Sequence, residues 1–225
     1  MKALVIGSSG GIGRAMTDRL NADDRFETVA TLSRSADGLD ITDETSVAGA
    51  AHQMGETHGT FDLIINATGA LTIGGVGPEK TIKAISSDVM TRQFLVNAVG
   101  PALLLKHFHA LLPRQVQSVF ASLSARVGSI GDNRLGGWIS YRAAKAAQNQ
   151  IIKTTSIEIA RTRPAAIVIA LHPGTVATEL SKTFRHGHQT VAPEVAAERL
   201  LAVIDGLGPA QTGRFLSYDG SSIEW

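Results

Sequence analysis

The stretch Ala3-Leu4-Val5-Ile6-Gly7-Ser8-Ser9-Gly10-Gly11-Ile12-Gly13-Arg14-Ala15-Met16 joins a short aliphatic run to a helical pattern through a glycine-rich turn. Four apolar residues ending on glycine read as a strand buried on both faces, and the spacing from Gly13 to Asn21 reads as a helix returning over it. A dinucleotide's pyrophosphate needs backbone N–H groups at a helix N-terminus, a turn without Cβ obstruction, and close packing of helix on strand. Gly7, Gly11 and Gly13 supply those positions, with Ser9 and Ile12 in the same turn. The spacing is Gly-x3-Gly-x-Gly and not the commoner Gly-x-Gly-x2-Gly. Read alone, the same turn also suits plain tight packing of a helix on a strand.

The pattern repeats outward from this unit. Thr28–Leu32, Leu63–Asn66, Val119–Leu123, Ala166–Leu171 and Arg214–Ser217 are short and nearly all apolar, as strands covered by helices on both faces are. Amphipathic stretches at Thr42–Gly55, Ser87–Leu112, Ser140–Thr162 and Pro193–Gly206 supply helical crossovers, the last opening with Pro193 and Glu194 in its first turn. The alternation predicts a single doubly wound parallel sheet in an α/β domain spanning residues 1–225. Gly69–Pro78 and Thr183–Ala192 read as loops, and no internal repeat or linker divides the chain.

Composition narrows the function. Twenty-one Lys plus Arg against twenty Asp plus Glu give a formal charge of +1, without the basic excess of a general nucleic-acid binder. The absence of cysteine excludes disulfides, thiolate zinc sites and a cysteine nucleophile, and fits a reducing compartment. No apolar run approaches a membrane span, and Met1–Ile6 is too short for a secretion signal, so a cytoplasmic protein without a membrane partner is expected. Seven histidines lack carboxylates at ligand spacing, whether His107 and His109 or His186 and His188 are considered, so no metal is expected.

Two further places carry chemistry. About 20 residues beyond the glycine turn, where an acidic residue would hold a free ribose 2'-hydroxyl, the chain has Ser33 and Arg34. A hydroxyl and a guanidinium suit a 2'-phosphate, so NADP(H) is preferred and NAD(H) is also compatible, with Asp37 and Asp40 nearby in sequence. Farther on, Tyr141-Arg142-Ala143-Ala144-Lys145 sets a phenol and an ammonium four residues apart on one helix face. A phenol of ordinary pKa ~10 needs ~4 kcal/mol of phenolate stabilisation to act near neutrality, which a neighbouring ammonium helps to supply. The spacing equally suits an amphipathic pair with Tyr141 as a packing anchor.

These residues together resemble the short-chain dehydrogenase/reductase family over most of the chain, and within it the subgroup that includes C-factor and sniffer-like carbonyl reductases. Gly7-Ser8-Ser9-Gly10-Gly11-Ile12-Gly13 is similar to its nucleotide-binding turn, Asp40-Ile41 to its adenine contact, and Asn66-Ala67-Thr68-Gly69 to the motif after its fourth strand. Asn97 in Val96-Asn97-Ala98 resembles its catalytic-helix asparagine, Tyr141-x3-Lys145 its reactive signature, and Pro173-Gly174-Thr175-Val176-Ala177-Thr178 its nicotinamide-side turn. The subgroup likeness rests on Ser124–Ile130 and on Tyr218-Asp219-Gly220 with Trp225.

The resemblance implies a Rossmann-type three-layer α/β/α fold and hydride transfer between nicotinamide and a small carbonyl or alcohol substrate. In that scheme Tyr141 is the general acid/base, Lys145 lowers its pKa and holds the nicotinamide ribose, and Ser124 orients the carbonyl. Asn97 interrupts regular helix bonding and holds a relay water. Cofactor contacts fall on Gly7, Ser9, Gly11, Ile12, Gly13, Ser33, Arg34, Asp40, Ile41, Asn66, Ala67, Gly69, Tyr141, Lys145, Pro173, Gly174, Val176 and Thr178. Relatives pair through the helices here at Ser87–Leu112 and Ser140–Thr162, so a homodimer or homotetramer is implied.

Three departures stand out. Ile6 replaces a small hydroxyl residue, Ser122-Leu123-Ser124-Ala125 replaces two adjacent serines, and Ala144 stands where serine is frequent. Ser122 is the alternative to Ser124, and Asp132–Trp138 forms an extra loop beside the pocket. The competing function is an NADP(H)-binding sensor with little catalysis; a methyltransferase leaves Tyr141 and Lys145 without a task.

Overall fold

The computed structural model describes residues 1–181 and 189–225. Its centre is a six-stranded parallel sheet of β1 (Lys2–Ile6), β2 (Thr28–Leu32), β3 (Leu63–Asn66), β4 (Ser118–Leu123), β5 (Ala166–His172) and β6 (Phe215–Ser217), in the spatial order β2-β1-β3-β4-β5-β6. Every strand is apolar because both faces are covered. In β1, Leu4 and Ile6 enter one core with Val47, Leu104, Phe108 and Ile152, while Ala3 and Val5 enter the other with Met16, Leu20, Ala197 and Leu200. The first core lies under α3 (Glu44–His58), α5 (Gly100–Phe108) and α6 (Ile139–Ala160); the second lies under α1 (Gly11–Asn21) and α7 (Pro193–Asp205). This is the doubly wound three-layer architecture expected from the alternation of patterns.

The strand order reverses between β1 and β3, and crevices at such reversals bind ligands at the carboxyl ends of the strands. The glycine turn follows β1 and Asn66–Gly69 follows β3, which is the third strand of this chain, not the fourth. The two loops pass in direct contact: a Cβ on Gly7, which has φ +89°, would lie 2.9 Å from the carbonyl of Ala67.

Boundaries differ from expectation in a few places. A four-residue helix, α2 (Arg34–Asp37), follows β2, capped by the Ser33 hydroxyl accepting from Ala36 N at 3.1 Å. The single helix expected over Ser87–Leu112 is α4 (Ser87–Phe94), a π-helical segment Leu95–Val99, α5, and a 3₁₀ turn His109–Leu111. By length and composition Ser87–Leu111 is apolar enough to cross a membrane, contrary to the sequence reading. Here it is a core helix, with Leu104, Leu105 and Phe108 fully buried against the sheet. Of the segments read as loops, residues 182–188 lie outside the described residues, His186 among them.

Candidate active site

Folding gathers the expected residues at the carboxyl ends of β1, β3, β4 and β5. Gly13, in the first turn of α1, packs so closely on the β1 turn that a Cβ would lie 2.9 Å from the Gly7 carbonyl carbon. Gly11 meets the turn after β5: its Cβ would lie 2.7 Å from Thr178 Cγ2. The turn needs no hydroxyl at position 6, because Ile6 is fully buried and the Gly7 and Ser8 amides donate to Leu32 O at 2.7 and 3.3 Å. Ser9 and Gly11 are exposed at its rim, with Ile12 half-buried. The α1 N-terminus, whose cap Gly10 has no side chain, therefore presents bare backbone. The exposed backbone at this helix N-terminus suits a dinucleotide's pyrophosphate, and side chains at 7, 11 and 13 would force the turn away from Ala67, Thr178 and Gly7 that now pack against it.

Asn66 is fully buried, and its amide is spent on structure. Oδ1 accepts from Thr68 N (3.0 Å) and Oγ1 (2.6 Å), and Nδ2 donates to Ser122 Oγ (2.9 Å). Thus it braces the loop carrying Ala67 and Gly69. Gly69, at φ +144°, approaches both Asn97 and Lys145: a Cβ would lie 3.1 Å from Asn97 Oδ1 and 3.4 Å from Lys145 Nζ.

Asn97 occupies the π-helical segment, matching the expected interruption of regular helix bonding. Its side chain is not free to cradle a water through its amide hydrogens. Nδ2 donates to Ala70 O (2.8 Å) and Gln93 Oε1 (2.7 Å), while Oδ1 accepts from Ala70 N (3.0 Å). Its evident work is to clamp the loop after β3.

Tyr141 and Lys145 lie in the first turns of α6, 7% and 3% exposed, with Nζ 5.9 Å from the phenol ring centroid. The Trp138 ring meets the Tyr141 ring edge-on at 6.3 Å. Trp138 has φ +53° at the position before the helix, and Glu79 secures this turn from a distant loop. The buried Glu79 carboxylate accepts from the Ser140 hydroxyl and from Ser140 N (3.2 Å), and its carbonyl accepts from Trp138 N (2.6 Å). These hydrogen bonds hold the Glu79 carboxyl below the usual range despite the opposing effect of burial. Nothing in the sequence pattern singled out Glu79.

Burial acts on both groups in the protein alone: the Tyr141 phenol is pushed up from 10, and the same desolvation pulls Lys145 from 10.5 to about 7, whereas the expected lowering of the phenol belongs to the site with a nicotinamide ring beside it. The ammonium 5.9 Å from the ring does not reverse this. In the protein alone the pair is held with both charges disfavoured.

The two candidate serines differ clearly. Ser122 is fully buried, with Oγ accepting from both Asn66 Nδ2 and Gln148 Nε2 (3.0 Å). Ser124, just beyond β4, has a single side-chain bond among the described residues, donating to Asn149 Oδ1 at 2.6 Å. Asn149 Nδ2 is buried without a partner among the described residues. The extra loop is tied down by Arg142, which donates to Gly136 O (3.2 Å), Gly137 O (2.9 Å) and Val127 O (3.3 Å).

On the nucleotide side, Ser33 is 2% exposed and already committed, its N–H and hydroxyl donating to Asp37 Oδ2 at 2.7 and 3.3 Å. In the protein alone the Ser33 hydroxyl is thus engaged within its own turn. Arg34 is exposed; its carbonyl accepts from Gly38 N, while its side chain makes no hydrogen bond or ion pair among the described residues, though its charge helps to lower Asp40. Asp40 accepts from Thr42 N and Oγ1, which chiefly holds its carboxyl low, and Ile41 packs over Gly100. After β5, Pro173 leads to Gly174 at φ +78° against the Tyr218 ring. Val176 O accepts from Ser181 Oγ at 2.5 Å, and the Thr178 hydroxyl makes no hydrogen bond among the described residues. His172, preceding Pro173, accepts at Nδ1 from Arg126 N (3.3 Å), and burial lowers it to about 4, so it is neutral. Among the described residues no cluster of three His, Asp or Glu has the geometry to hold a metal ion.

The sheet order, with the glycine turn at its switch point, defines a doubly wound α/β protein. Residues 27–189 match the profile of the short chain dehydrogenases, and the chain belongs to that oxidoreductase family. It is 32% identical, over 99% of its length and 98% of the relative's, to 1-hydroxy-2-glutathionyl-2-methyl-3-butene dehydrogenase of Rhodococcus sp. (strain AD45). It is 36% identical to C-signal of Myxococcus xanthus, over 74% of this chain and 94% of that one. In fold it resembles the NADPH-bound carbonyl reductase from chicken fatty liver (TM-score 0.85, 24% identity, 100% and 98% coverage). Carbonyl reductase Sniffer of D. melanogaster is similar at TM-score 0.84, with 20% identity and 100% and 99% coverage.

Proposed function

We propose that the protein is an NADP(H)-dependent reductase of carbonyl compounds, running in reverse as an alcohol dehydrogenase. The observation that carries this is the buried Tyr141–Lys145 pair on one face of α6, with Lys145 Nζ bonded to the carbonyl of Leu123, the residue before Ser124, and facing the loop that Asn97 clamps. When bound, the nicotinamide cofactor supplies or accepts the hydride. The glycine turn and the α1 N-terminus hold its pyrophosphate. Arg34 is the cation available for a 2'-phosphate, and Thr178 with the Val176 backbone bonds the carboxamide. Tyr141 gives a proton to the substrate oxygen as negative charge develops there, Ser124 donates a second hydrogen bond to that atom, and Lys145 stabilises the phenolate left behind.

Incubation with NADPH and a panel of aldehydes, ketones and quinones tests the reading. The panel includes glutathionyl alcohols with NADP+, since the Rhodococcus relative carries such a substrate in its name. Consumption of NADPH with the carbonyl compounds, or formation of NADPH from NADP+ with the alcohols, is the expected result; neither across the panel would contradict it. A second reading, an NADP(H)-binding signalling module, draws on the likeness to C-signal. Cofactor-dependent capture of a partner without turnover would favour it.

A further inference from the structure

Lys145 is a cation buried without a carboxylate. It is 3% exposed, and no charged side chain from any packed element bears on it among the described residues. Around Nζ stand the Tyr141 ring on its own helix, Leu123 O on β4, and Gly69 and Asn97 on the other side, all neutral. Among the described residues its one side-chain acceptor is Gln148 Oε1, at 2.8 Å, three residues along α6; Leu123 O is longer, at 3.3 Å.

Gln148 is itself fully buried and anchored at its other end. Nε2 donates to Ser122 Oγ (3.0 Å) and Leu123 O (3.1 Å), both on β4. Its orientation follows from chemistry. Reversed, the amide would set its NH₂ against an ammonium and its carbonyl against a carbonyl, opposing like groups at both ends. Through Ser122 Oγ the chain continues to Asn66 and Thr68 in the loop of the switch point.

We propose that Gln148 is a positioning residue for Lys145: its carbonyl fixes the buried ammonium beside the Tyr141 ring, its amide pins that carbonyl to β4, and the lysine stays charged by this contact. The proposal rests on the reading of Tyr141 and Lys145 as the reactive pair. A neutral lysine could neither stabilise a phenolate nor bind ribose hydroxyls as a cation. Burial brings its titration to about 7, so its charge at neutral pH depends on every acceptor it has.

Two replacements act in opposite directions. Gln148→Leu removes the acceptor at similar volume and disfavours the ammonium; Gln148→Glu places a carboxylate there and favours it. Titration of the lysine ε-methylene resonances by ¹³C NMR in the protein without cofactor, assigned by the signal lost in Lys145→Met, reads the charge directly. The midpoint is expected to fall by about one pH unit in Gln148→Leu and to rise by at least about one unit in Gln148→Glu, the size of one hydrogen bond to a charged group. The pH dependence of NADPH affinity, followed by fluorescence, should move with it. Midpoints unchanged in both variants, or displaced in the same direction, would overturn the proposal. Should Gln148→Leu fail to fold, Gln148→Glu decides alone: a raised midpoint at wild-type melting temperature supports the proposal, whereas no rise, or a rise with a lowered melting temperature, which water admitted by loosened packing would also give, overturns it. Turnover retained in Tyr141→Phe would defeat the reductase reading but leave these midpoints as they are, so the two failures are separable.

Discussion

Replacing Gly13 by alanine tests whether close approach of α1 to β1 builds the cofactor cradle. A Cβ at Gly13 would lie 2.9 Å from the Gly7 carbonyl carbon and 3.2 Å from Ser8 Cα, and closer still to the Gly7 oxygen. Carbon atoms in contact normally stand roughly 3.5–4.0 Å apart, so the turn must retreat by at least roughly 0.6 Å. Neither neighbour can rotate away, because both are backbone. Gly7 is held by its N–H to Leu32 O (2.7 Å), accepts from Gly10 N (3.1 Å), and is backed by Ala67. Overpacking of this kind costs about 1–3 kcal/mol and one broken backbone bond adds about 1, giving about 2–4 kcal/mol. In a domain of this size that lowers Tm by about 4–16 °C. Gly49→Ala, the same chemical change inside α3 with nothing within 4 Å of the new methyl, should instead stabilise by up to about 1 kcal/mol. Thermal unfolding followed by circular dichroism gives both values, and NADPH fluorescence should show affinity falling at least tenfold in Gly13→Ala alone. A Gly13→Ala protein with wild-type Tm and affinity would refute the reasoning.

Three other outcomes follow from the same geometry. Arg34→Asp should weaken NADPH binding about tenfold or more while sparing NADH, by titration of each; equal losses would remove the phosphate role from Arg34. Lys145→Met should unfold at higher temperature than the wild type below about pH 7, though inactive. The folded lysine titrates at about 7 and the unfolded one at 10.5, so wild-type stability rises with pH across that window and the gap should narrow; a gap that widens instead would contradict the burial account. Glu79→Gln should lower Tm by several degrees at neutral pH. The folded carboxyl lies below 4.5, so its contribution is present above that value and lost as pH falls through the folded pKa, and the two melting curves should converge in acid. A difference independent of pH would exclude the charge from the cap.

The sheet was legible because burial on both faces leaves runs such as Leu63–Asn66 almost wholly apolar, and its ends fell within a residue or so of expectation. The π-helical segment was not legible as a break in the pattern, because Leu95–Val99 keeps helical hydrophobic spacing; only the likeness of Asn97 to a known asparagine pointed there. α2 is too short for periodicity to register. Within the site, Tyr141 and Lys145 were readable from i, i+4 spacing along one helix. Gln148 and Glu79 were not, since their partners lie across the fold on β4 and at the start of α6, and a buried glutamine or glutamate in sequence looks like any solvated one. The upward shift of Tyr141 in the protein alone was not legible for a related reason: charge proximity can be guessed from spacing, but desolvation depends on everything that packs around the pair.

The central claim is that the Tyr141 hydroxyl is the proton donor. NADPH oxidation by Tyr141→Phe, measured with the best carbonyl substrate of the panel, tests it most directly, because the change removes one oxygen and leaves the ring that packs on Trp138 and Lys145. Turnover should fall about 100-fold or more with NADPH affinity within about twofold of wild type. Turnover comparable to wild type, in a variant that binds NADPH equally well, would contradict the account.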